Sequence, residues 1–221
     1  NSRSVRHGAF CATRKADPNL CTSVGLARAL AHQFANSSVF DIGCGRGGYG
    51  RHFAEHAPGV RWRGVDGAEG IEEATSGFVR FADLAERALP AAASTPSDWV
   101  MSLEVAEHLS RGDEPTFMHH VVSRAARGVL LSWSPPRGPA GHQHVNCQSP
   151  AYVKCAMALV RLRYAPDITP RLASAVRCVP PPPRPLLADT PHPFPPHPPT
   201  NTPLPPPPPP PSAHGASAHP P

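Results

Sequence analysis

The sequence predicts an α/β fold with a doubly wound, mainly parallel sheet that has helices on both of its faces. Short apolar segments typical of buried strands alternate along the chain with segments of helical periodicity. The first strand segment runs into a turn with glycine at every second position, and helical spacing resumes directly after it. The last strand segment, residues 128–133, is apolar enough to be central in a parallel sheet. Five strands that alternate with helices favour this architecture over any other.

Composition divides the 221 residues into three predicted parts. Residues 1–37 contain an irregular segment and a helix, residues 38–178 form the α/β domain, and residues 179–221 form a proline-rich tail. The tail holds 21 of the 32 prolines and is predicted to be disordered or to adopt polyproline II structure. Its proline run at 205–211 is of the kind that SH3 and WW modules bind. Because the chain begins with Asn1, we also expect its N-terminus to be incomplete.

Charge and cysteine content restrict the class to which the protein can belong. The formal net charge of +5 is modest, and the basic residues are scattered along the chain. The nearest thing to a basic–aromatic cluster, Arg61 and Arg63 around Trp62, is interpreted as a solvated strand end rather than a nucleic-acid surface. Six cysteines without C-x-x-C spacing predict reduced thiols in an intracellular, cytoplasmic protein. No apolar run approaches the roughly 20 residues that a membrane span needs.

The predicted elements follow one another in strand–helix alternation. Strands are expected at residues 39–40, 60–65, 78–81, 98–103 and 128–133. Helices are expected at residues 20–34, 49–56, 71–77, 104–109, 117–126 and 151–163. Residues 164–178 are ambiguous between a weak strand and a helical piece at 170–176.

The glycine turn after the first strand predicts a nucleoside-binding pocket. Its glycines let a ligand approach the backbone, and the free N–H groups at the following helix start favour electron-rich groups. The spacing fits G-x-G-x-x-G, the dinucleotide fingerprint, and equally D-x-G-x-G-x-G beginning at Asp41. A carboxylate there repels the pyrophosphate of NAD but suits the cationic methionyl part of S-adenosylmethionine. Asp66, about 20 residues past the turn, is placed to accept hydrogen bonds from both ribose hydroxyls of either cofactor.

A second motif lies at the end of the fourth predicted strand, where the sequence from Asp98 reads D-W-V-M-S-L-E-V-A-E-H-L. This segment and the glycine turn resemble motifs IV and I of the class I S-adenosylmethionine-dependent methyltransferases, over about residues 38–147. The resemblance implies a Rossmann-like methyltransferase fold and the transfer of a methyl group to an acceptor. It also implies cofactor contacts from Asp41, Gly43, Gly45, Gly47, Asp66, Asp83, Leu84 and Glu104.

Two of these contacts have a competing interpretation. In the family, an acid at the position of Asp83 hydrogen-bonds the adenine amino group, and the next residue, Leu84, packs on the adenine ring. The alternative is that Asp83 caps a helix over residues 84–89.

The resemblance also implies a possible metal site. Glu104, Glu107 and His108 are spaced at i, i+3 and i+4, which places them on one face of a helix. This run resembles that of the small-RNA 3′-terminal 2′-O-methyltransferases, in which a downstream histidine, here His142 or His144, completes a magnesium or manganese site. The same run occurs in ubiquinone-pathway O-methyltransferases that have no such RNA role. The alternative is that Glu104 merely holds His108 on the helix face.

His142 and His144 are also the candidate catalytic residues. A histidine with a pKa near neutrality is well matched to remove a proton from an acceptor hydroxyl. The acceptor is predicted to be an oxygen nucleophile of a small molecule or of an RNA ribose. The alternative is that these loop histidines only hydrogen-bond the backbone.

The end of the predicted domain leaves two further alternatives for the function. Class I methyltransferases typically finish with two more strands, whereas here Val179 runs directly into polyproline, which cannot donate ladder hydrogen bonds. We therefore expect the usual terminal strands to be missing. A truncated, inactive fold that acts as a binding module remains an alternative, and so does an NAD-binding Rossmann protein.

Overall fold

A sheet of five parallel strands lies at the centre of the chain. The computed structural model describes residues 22–90, 93, 95–136 and 143–176. The strands in this part of the chain are β1 (Ser38–Ile42), β2 (Arg61–Asp66), β3 (Val79–Phe81), β4 (Ser97–Ser102) and β5 (Ala125–Leu131). They are parallel throughout and lie in the order β3-β2-β1-β4-β5. This order confirms the predicted doubly wound sheet, and each strand lies within three residues of its predicted position.

Six α-helices connect or flank these strands in the described ranges. They are α1 (Val24–Gln33), α2 (Gly48–His56), α3 (Ile71–Ala74), α4 (Glu114–Ser123), α5 (Pro150–Leu159) and α6 (Thr169–Ala175). Serine caps begin two of them: Ser23 Oγ accepts the amide of Leu26 in α1, and Ser149 Oγ accepts the amide of Tyr152 in α5.

Alternate residues of the central strands face two separate apolar clusters. In β1, Phe40 packs in one cluster and Val39 in the other, and in β4 Val100 and Met101 divide in the same way. Buried side chains of α4 complete the first cluster, whereas those of α1, α2 and α6 complete the second. Helices therefore cover both faces of the sheet, as predicted.

The possible helix over residues 84–89 is absent. The chain forms turns and bends there, and Asp83 Oδ1 accepts a hydrogen bond from the amide of Ala85, two residues further on, at 3.0 Å. This Asx-type turn gives the backbone an alternative to helix formation. The prediction that Asp83 caps a helix is wrong.

The predicted helix over residues 104–109 is also wrong. Glu104 has a left-handed backbone (φ 56°), and only a single 3₁₀ turn, Ala106–His108, follows it. The amide of Glu104 donates to Ser132 Oγ at 2.8 Å instead of entering a helix. The spacing of Glu104, Glu107 and His108 therefore does not place them on one helix face.

Near the end of the sheet, α4 and β5 both begin about three residues earlier than predicted. Pro115 lies in the first turn of α4, a position that suits its fixed φ and missing N–H. The strand β5 then begins at Ala125 because its register with β4 pairs that residue with Ser97. Among the described residues, β5 pairs with β4 alone.

The segment that the sequence left ambiguous contains α6, which packs against α1. Leu172 is buried in this contact, and a Cβ atom on Gly25 would lie only 2.4 Å from the carbonyl oxygen of Ala175. Glycine at position 25 therefore permits the close approach of the two helices. In contrast, α5 has no buried residue.

Several predictions concern residues outside the described ranges. These are the irregular segment before residue 22, His142, and the proline-rich tail with its run for SH3 or WW modules. Within the described part of the chain, no helix combines the length and the apolar character that crossing a membrane requires.

Candidate cofactor and catalytic site

The candidate site lies where the carboxyl ends of β1, β2 and β4 meet. The strand register aligns Ile42 with Val65, and Asp41 with Met101. Ser102 Oγ, fully buried at the end of β4, donates a hydrogen bond to the carbonyl oxygen of Ile42 at 2.8 Å. The segments that follow these three strands therefore start side by side, at the edge of the sheet where ligands bind in this class of fold.

Three glycines of the turn have a left-handed backbone: Gly43 (φ 75°), Gly45 (φ 57°) and Gly47 (φ 77°). A Cβ atom on Gly43 would lie 2.4 Å from Val105 Cγ2, because the segment after β4 packs directly on the turn. A Cβ atom on Gly45 would meet no atom within 4 Å. The turn therefore packs against Val105 at Gly43, whereas the space at Gly45 is open and a ligand can reach the backbone there.

Asp66, at the end of β2, holds this turn in place. Its Oδ2 accepts a hydrogen bond from the amide of Gly45 at 2.7 Å, and its Oδ1 accepts one from the amide of Ala68 at 2.9 Å. Burial raises the pKa of Asp66, and these two amide hydrogen bonds oppose the rise. Each carboxylate oxygen keeps a further lone pair with which it can accept a ligand hydroxyl.

Asp41 lies beneath the turn, with only 3% of its surface exposed. Its Oδ2 accepts a hydrogen bond from Trp62 Nε1 at 3.2 Å. Burial raises the pKa of Asp41 to about 7; the Trp62 hydrogen bond lowers it, and the charge of Asp66 raises it. Contact between Asp41 and a methionyl group stays a prediction.

The structure corrects the interpretation of the basic–aromatic cluster as a solvated strand end. Trp62 is half-buried and stacks on Phe78, with ring centroids 4.9 Å apart. The guanidinium of Arg63 lies 4.2 Å from the centroid of the Phe40 ring and also donates to Ser97 Oγ. Arg61 alone of the three is exposed.

Asp83 and Leu84 follow β3 at the same edge of the sheet. The amide of Ala82 donates to the carbonyl oxygen of Asp66 at 3.0 Å, which ties this segment to the end of β2. Leu84 is 6% exposed and packs in the cluster that contains Phe40. Leu84 is thus a core residue, and its contact with adenine stays a prediction.

Glu104 is exposed at the end of β4, and Ser132 holds it from two directions. Ser132 Oγ accepts the amide of Glu104 at 2.8 Å and donates to Glu104 Oε1 at 2.6 Å. Sequence reasoning missed Ser132. The predicted fifth strand, residues 128–133, included Ser132, whereas the structure ends β5 at Leu131 and leaves Ser132 at the edge where ligands bind.

A second group of chemically active side chains surrounds Glu107. One ligand atom from each of Glu107, His108 and His144 lies within 4.8 Å of the other two, and the two imidazole rings meet edge to face, 4.8 Å apart. The carbonyl oxygen of Glu107 accepts the amides of Val145 and Asn146, at 2.8 and 2.9 Å, which brings the loop of His144 here. Glu104, which the sequence grouped with Glu107 and His108, lies outside this cluster.

Glu107 is fully buried, and neither of its carboxyl oxygens has a hydrogen-bonding N–H or O–H donor among the described residues. Burial raises the pKa of Glu107 to about 7, the nearby backbone amides of Glu107 and Ser134 oppose the rise without reaching hydrogen-bond geometry, and the neighbouring Glu104 carboxyl adds to it. A buried carboxyl group without a donor is costly unless it is protonated or bound to a cation. One carboxylate and two imidazoles form a donor set that suits a divalent transition metal.

A polar network lies behind this cluster. Trp133 Nε1 donates to the carbonyl oxygen of Asn146 at 2.6 Å, and Asn146 Nδ2 donates to Glu114 Oε2 at 2.9 Å. Gln148 Nε2 donates to Asn146 Oδ1 at 2.8 Å, and the Tyr152 hydroxyl donates to Glu114 Oε1. A cavity of about 190 Å³ adjoins the network and is lined by Arg111, Glu114, Pro115, Gln148 and Tyr152. No residue of the glycine turn lines this cavity.

Neither protein-family models nor curated protein sequences match the chain. Solved structures do match it. Magnesium protoporphyrin IX methyltransferase from Synechocystis PCC 6803, with S-adenosylhomocysteine bound, is 20% identical with a TM-score of 0.50, over 63% of this chain and 71% of that one. An O-methyltransferase family protein from Burkholderia thailandensis is 14% identical with a TM-score of 0.48, over 63% and 52% of the two chains.

A third match is the 1,6-didemethyltoxoflavin-N1-methyltransferase of Burkholderia thailandensis, solved with 1,6-didemethyltoxoflavin and S-adenosylhomocysteine. It is 19% identical with a TM-score of 0.46, over 64% of this chain and 69% of that one. The chain therefore has the fold of the class I S-adenosylmethionine-dependent methyltransferases.

Proposed function

We propose that the protein is a methyltransferase that uses S-adenosylmethionine and transfers the methyl group to an oxygen nucleophile. The observation that carries this proposal is the glycine turn, which Asp66 holds through the amide of Gly45 and which is open at Gly45. The turn lies beside the end of β4, where Glu104 is exposed. Class I methyltransferases place their cofactor at this edge of the sheet.

Each residue has a proposed part in the reaction. When bound, S-adenosylmethionine supplies a methyl group that its sulfonium already activates. Asp66 accepts hydrogen bonds from the ribose hydroxyls, and the turn orients the cofactor against the acceptor, which supplies much of the rate. His144, half-buried beside His108, accepts the proton of the acceptor hydroxyl on a ring nitrogen. The proposed acceptor is a small molecule or an RNA ribose.

Calorimetric titration tests the cofactor. We expect heat from S-adenosylmethionine and none from NAD⁺, because the resemblance implies that the Asp41 carboxyl stands where a pyrophosphate would otherwise lie, and a carboxylate repels phosphate. Asp66→Asn should weaken S-adenosylmethionine binding about tenfold or more, since an amide oxygen replaces only one of two acceptors and carries no charge. Glu55→Gln, an exposed acid in the last turn of α2, is the matched control and should leave the affinity unchanged.

The two rival functions predict other results in the same titration. Heat with NAD⁺ and none with S-adenosylmethionine would favour a nicotinamide-binding protein and overturn our proposal. No heat with either would favour a binding module without a cofactor.

As an alternative to proton transfer by His144, we propose that Glu107, His108 and His144 hold a divalent metal ion, Mn²⁺ or Mg²⁺. The two roles exclude each other, because a neutral imidazole has a single nitrogen lone pair to give to a metal or to a proton. The fully buried carboxyl of Glu107 supports this, because a cation would offset the cost of its burial. The two imidazoles lie on the same side of it, with ligand atoms from all three residues within 4.8 Å. The ion would supply Lewis-acid activation of an acceptor hydroxyl.

Electron paramagnetic resonance of Mn²⁺ tests the metal site without any need for the acceptor. The wild type should bind one equivalent, and both Glu107→Ala and His144→Ala should weaken binding at least tenfold because each removes one of three ligands. His119→Ala, an exposed histidine of α4, should change nothing. Equal Mn²⁺ binding by the wild type and Glu107→Ala would end this proposal.

A further inference from the structure

Trp62 reaches from β2 to the acid beneath the glycine turn. Its indole Nε1 donates to Asp41 Oδ2 at 3.2 Å, and its ring stacks on Phe78 at an interplanar angle of 18°. The guanidinium of Arg51, from α2, lies 4.6 Å from the Phe78 centroid. The indole is therefore one layer of a stack that fixes its plane.

Two glycines make room for the indole. A Cβ atom on Gly50 in α2 would lie 2.4 Å from Trp62 Cδ2, and one on Gly64 in β2 would lie 2.4 Å from Trp62 Cζ2. The ring thus fills the space between the first helix after the turn and the second strand. Because backbone bounds it at two places and Phe78 at a third, the N–H group has little freedom to leave Asp41.

We propose that Trp62 is a positioning residue for cofactor binding, whose indole N–H sets the orientation of Asp41 and favours its ionised form. This inference rests on the proposed function, because the ionised form matters only if Asp41 faces a cationic ligand. The hydrogen bond itself does not depend on the cofactor. The effect of this hydrogen bond on cofactor affinity and its effect on the ionisation of Asp41 can therefore be tested separately.

The surroundings of Asp41 explain why one donor matters. Two titratable groups interact with Asp41. They are Asp66, the last residue of β2, and the thiol of Cys44 in the glycine turn. The charge of Asp66 disfavours a negative charge on Asp41, whereas burial and the charges of the two acids raise the pKa of the Cys44 thiol, which stays neutral. On β4, the residue paired with Asp41 is Met101, and the next acid along the chain is Glu104. The buried residues of α2 carry no ionisable group. The indole N–H opposes the effects of burial and of the Asp66 charge on Asp41.

The first experiment measures S-adenosylmethionine affinity from pH 6 to pH 9 in the wild type, Trp62→Phe and Phe78→Leu. The ratio of variant to wild-type Kd cancels any titration of the ligand itself. For Trp62→Phe, which keeps a ring but loses the donor, we expect a ratio of about ten at pH 7 that falls toward one at pH 9. Phe78→Leu loosens the stack but keeps the N–H group, so its ratio should not vary with pH. A ratio for Trp62→Phe that is constant over this range would mean a structural role only and would overturn the inference.

The second experiment uses the full chain without cofactor. The indole N–H proton resonance of Trp62, assigned by its loss in Trp62→Phe, is followed from pH 5 to pH 9 in the wild type and in Asp41→Asn. We expect a titration with a midpoint near 7 in the wild type and none in Asp41→Asn, because the resonance reports the charge of its acceptor. A resonance that does not move in the wild type overturns the inference whether or not S-adenosylmethionine binds. If the resonance titrates but no cofactor binds at any pH, the hydrogen bond stands and the proposed function fails.

Discussion

Gly43→Ala should abolish measurable S-adenosylmethionine binding, a loss of at least a hundredfold. The new Cβ atom would lie 2.4 Å from Val105 Cγ2 and 2.8 Å from Val105 Cγ1. Because valine is β-branched, it has few other rotamers that would relieve this contact. The left-handed backbone (φ 75°) adds strain of about 1–2 kcal/mol for any residue with a Cβ. The turn must then move away from the end of β4, which changes the shape of the pocket. Calorimetric titration measures the affinity, and thermal unfolding checks that the variant is folded.

Two control variants separate strain from collision. Gly70→Ala has almost the same backbone (φ 74°) with open space around the new Cβ atom, so it should cost only the strain and leave cofactor affinity intact. Val105→Ala in the Gly43→Ala background removes the colliding methyl groups and should restore part of the binding. Full affinity in Gly43→Ala alone would show that the turn does not contact the cofactor.

Glu107→Gln should stabilise the protein at pH 8, although it replaces a fully buried residue. The folded-state pKa of about 7 lies above the ordinary value of 4.5, so the folded state binds a proton that the unfolded chain has already released between these values. Stability is therefore greatest below about pH 4.5 and falls as the pH rises through 7, by on the order of 3 kcal/mol. An amide of the same shape carries no charge and escapes this loss.

Urea unfolding at pH 5 and pH 8 in the presence of a chelator measures this effect. Glu107→Gln should exceed the wild type in unfolding free energy by about 2–3 kcal/mol at pH 8 and by much less at pH 5. Asp41 titrates in the same window in both proteins, so the difference between them isolates Glu107. Glu55→Gln should match the wild type at both pH values. A Glu107→Gln variant that is equally destabilised at both pH values would show that the carboxyl has a hydrogen-bond donor.

The strands and the glycine turn were predictable because their signals are local. Alternation around Val39 and Phe40 assigns the two faces of β1, and the left-handed positions of the turn select glycine. The segment at Glu104 was not predictable in this way. Its sequence has good helix formers, but Ser132, 28 residues later, captures the amide and the carboxylate of Glu104. No window of local sequence contains that contact.

Long-range contacts also decide which parts of the candidate site come together. His144 meets His108 because the carbonyl oxygen of Glu107 binds the loop amides that follow His144. Trp62 belongs to the site because Gly50 and Gly64 leave room for its ring, whereas its arginine neighbours suggested a solvated strand end. Pairwise spacing predicted the residue types of the site, but only tertiary packing determines their grouping.

The pairing of β1 with β4 decides at which stage of synthesis the pocket can form. Asp98 Oδ2 accepts both the amide and the hydroxyl of Ser38, across 60 residues of sequence, and Ser102 binds Ile42 across the same separation. A nascent chain that has left the ribosome as far as β2 has the whole glycine turn but lacks the wall that Val105 forms against Gly43. Such non-local pairing forms slowly, since chain entropy is lost before the contacts are gained. The pocket is therefore completed only after β4 and Val105 have been made, and a cofactor that needs the whole pocket cannot serve as a template for folding before then.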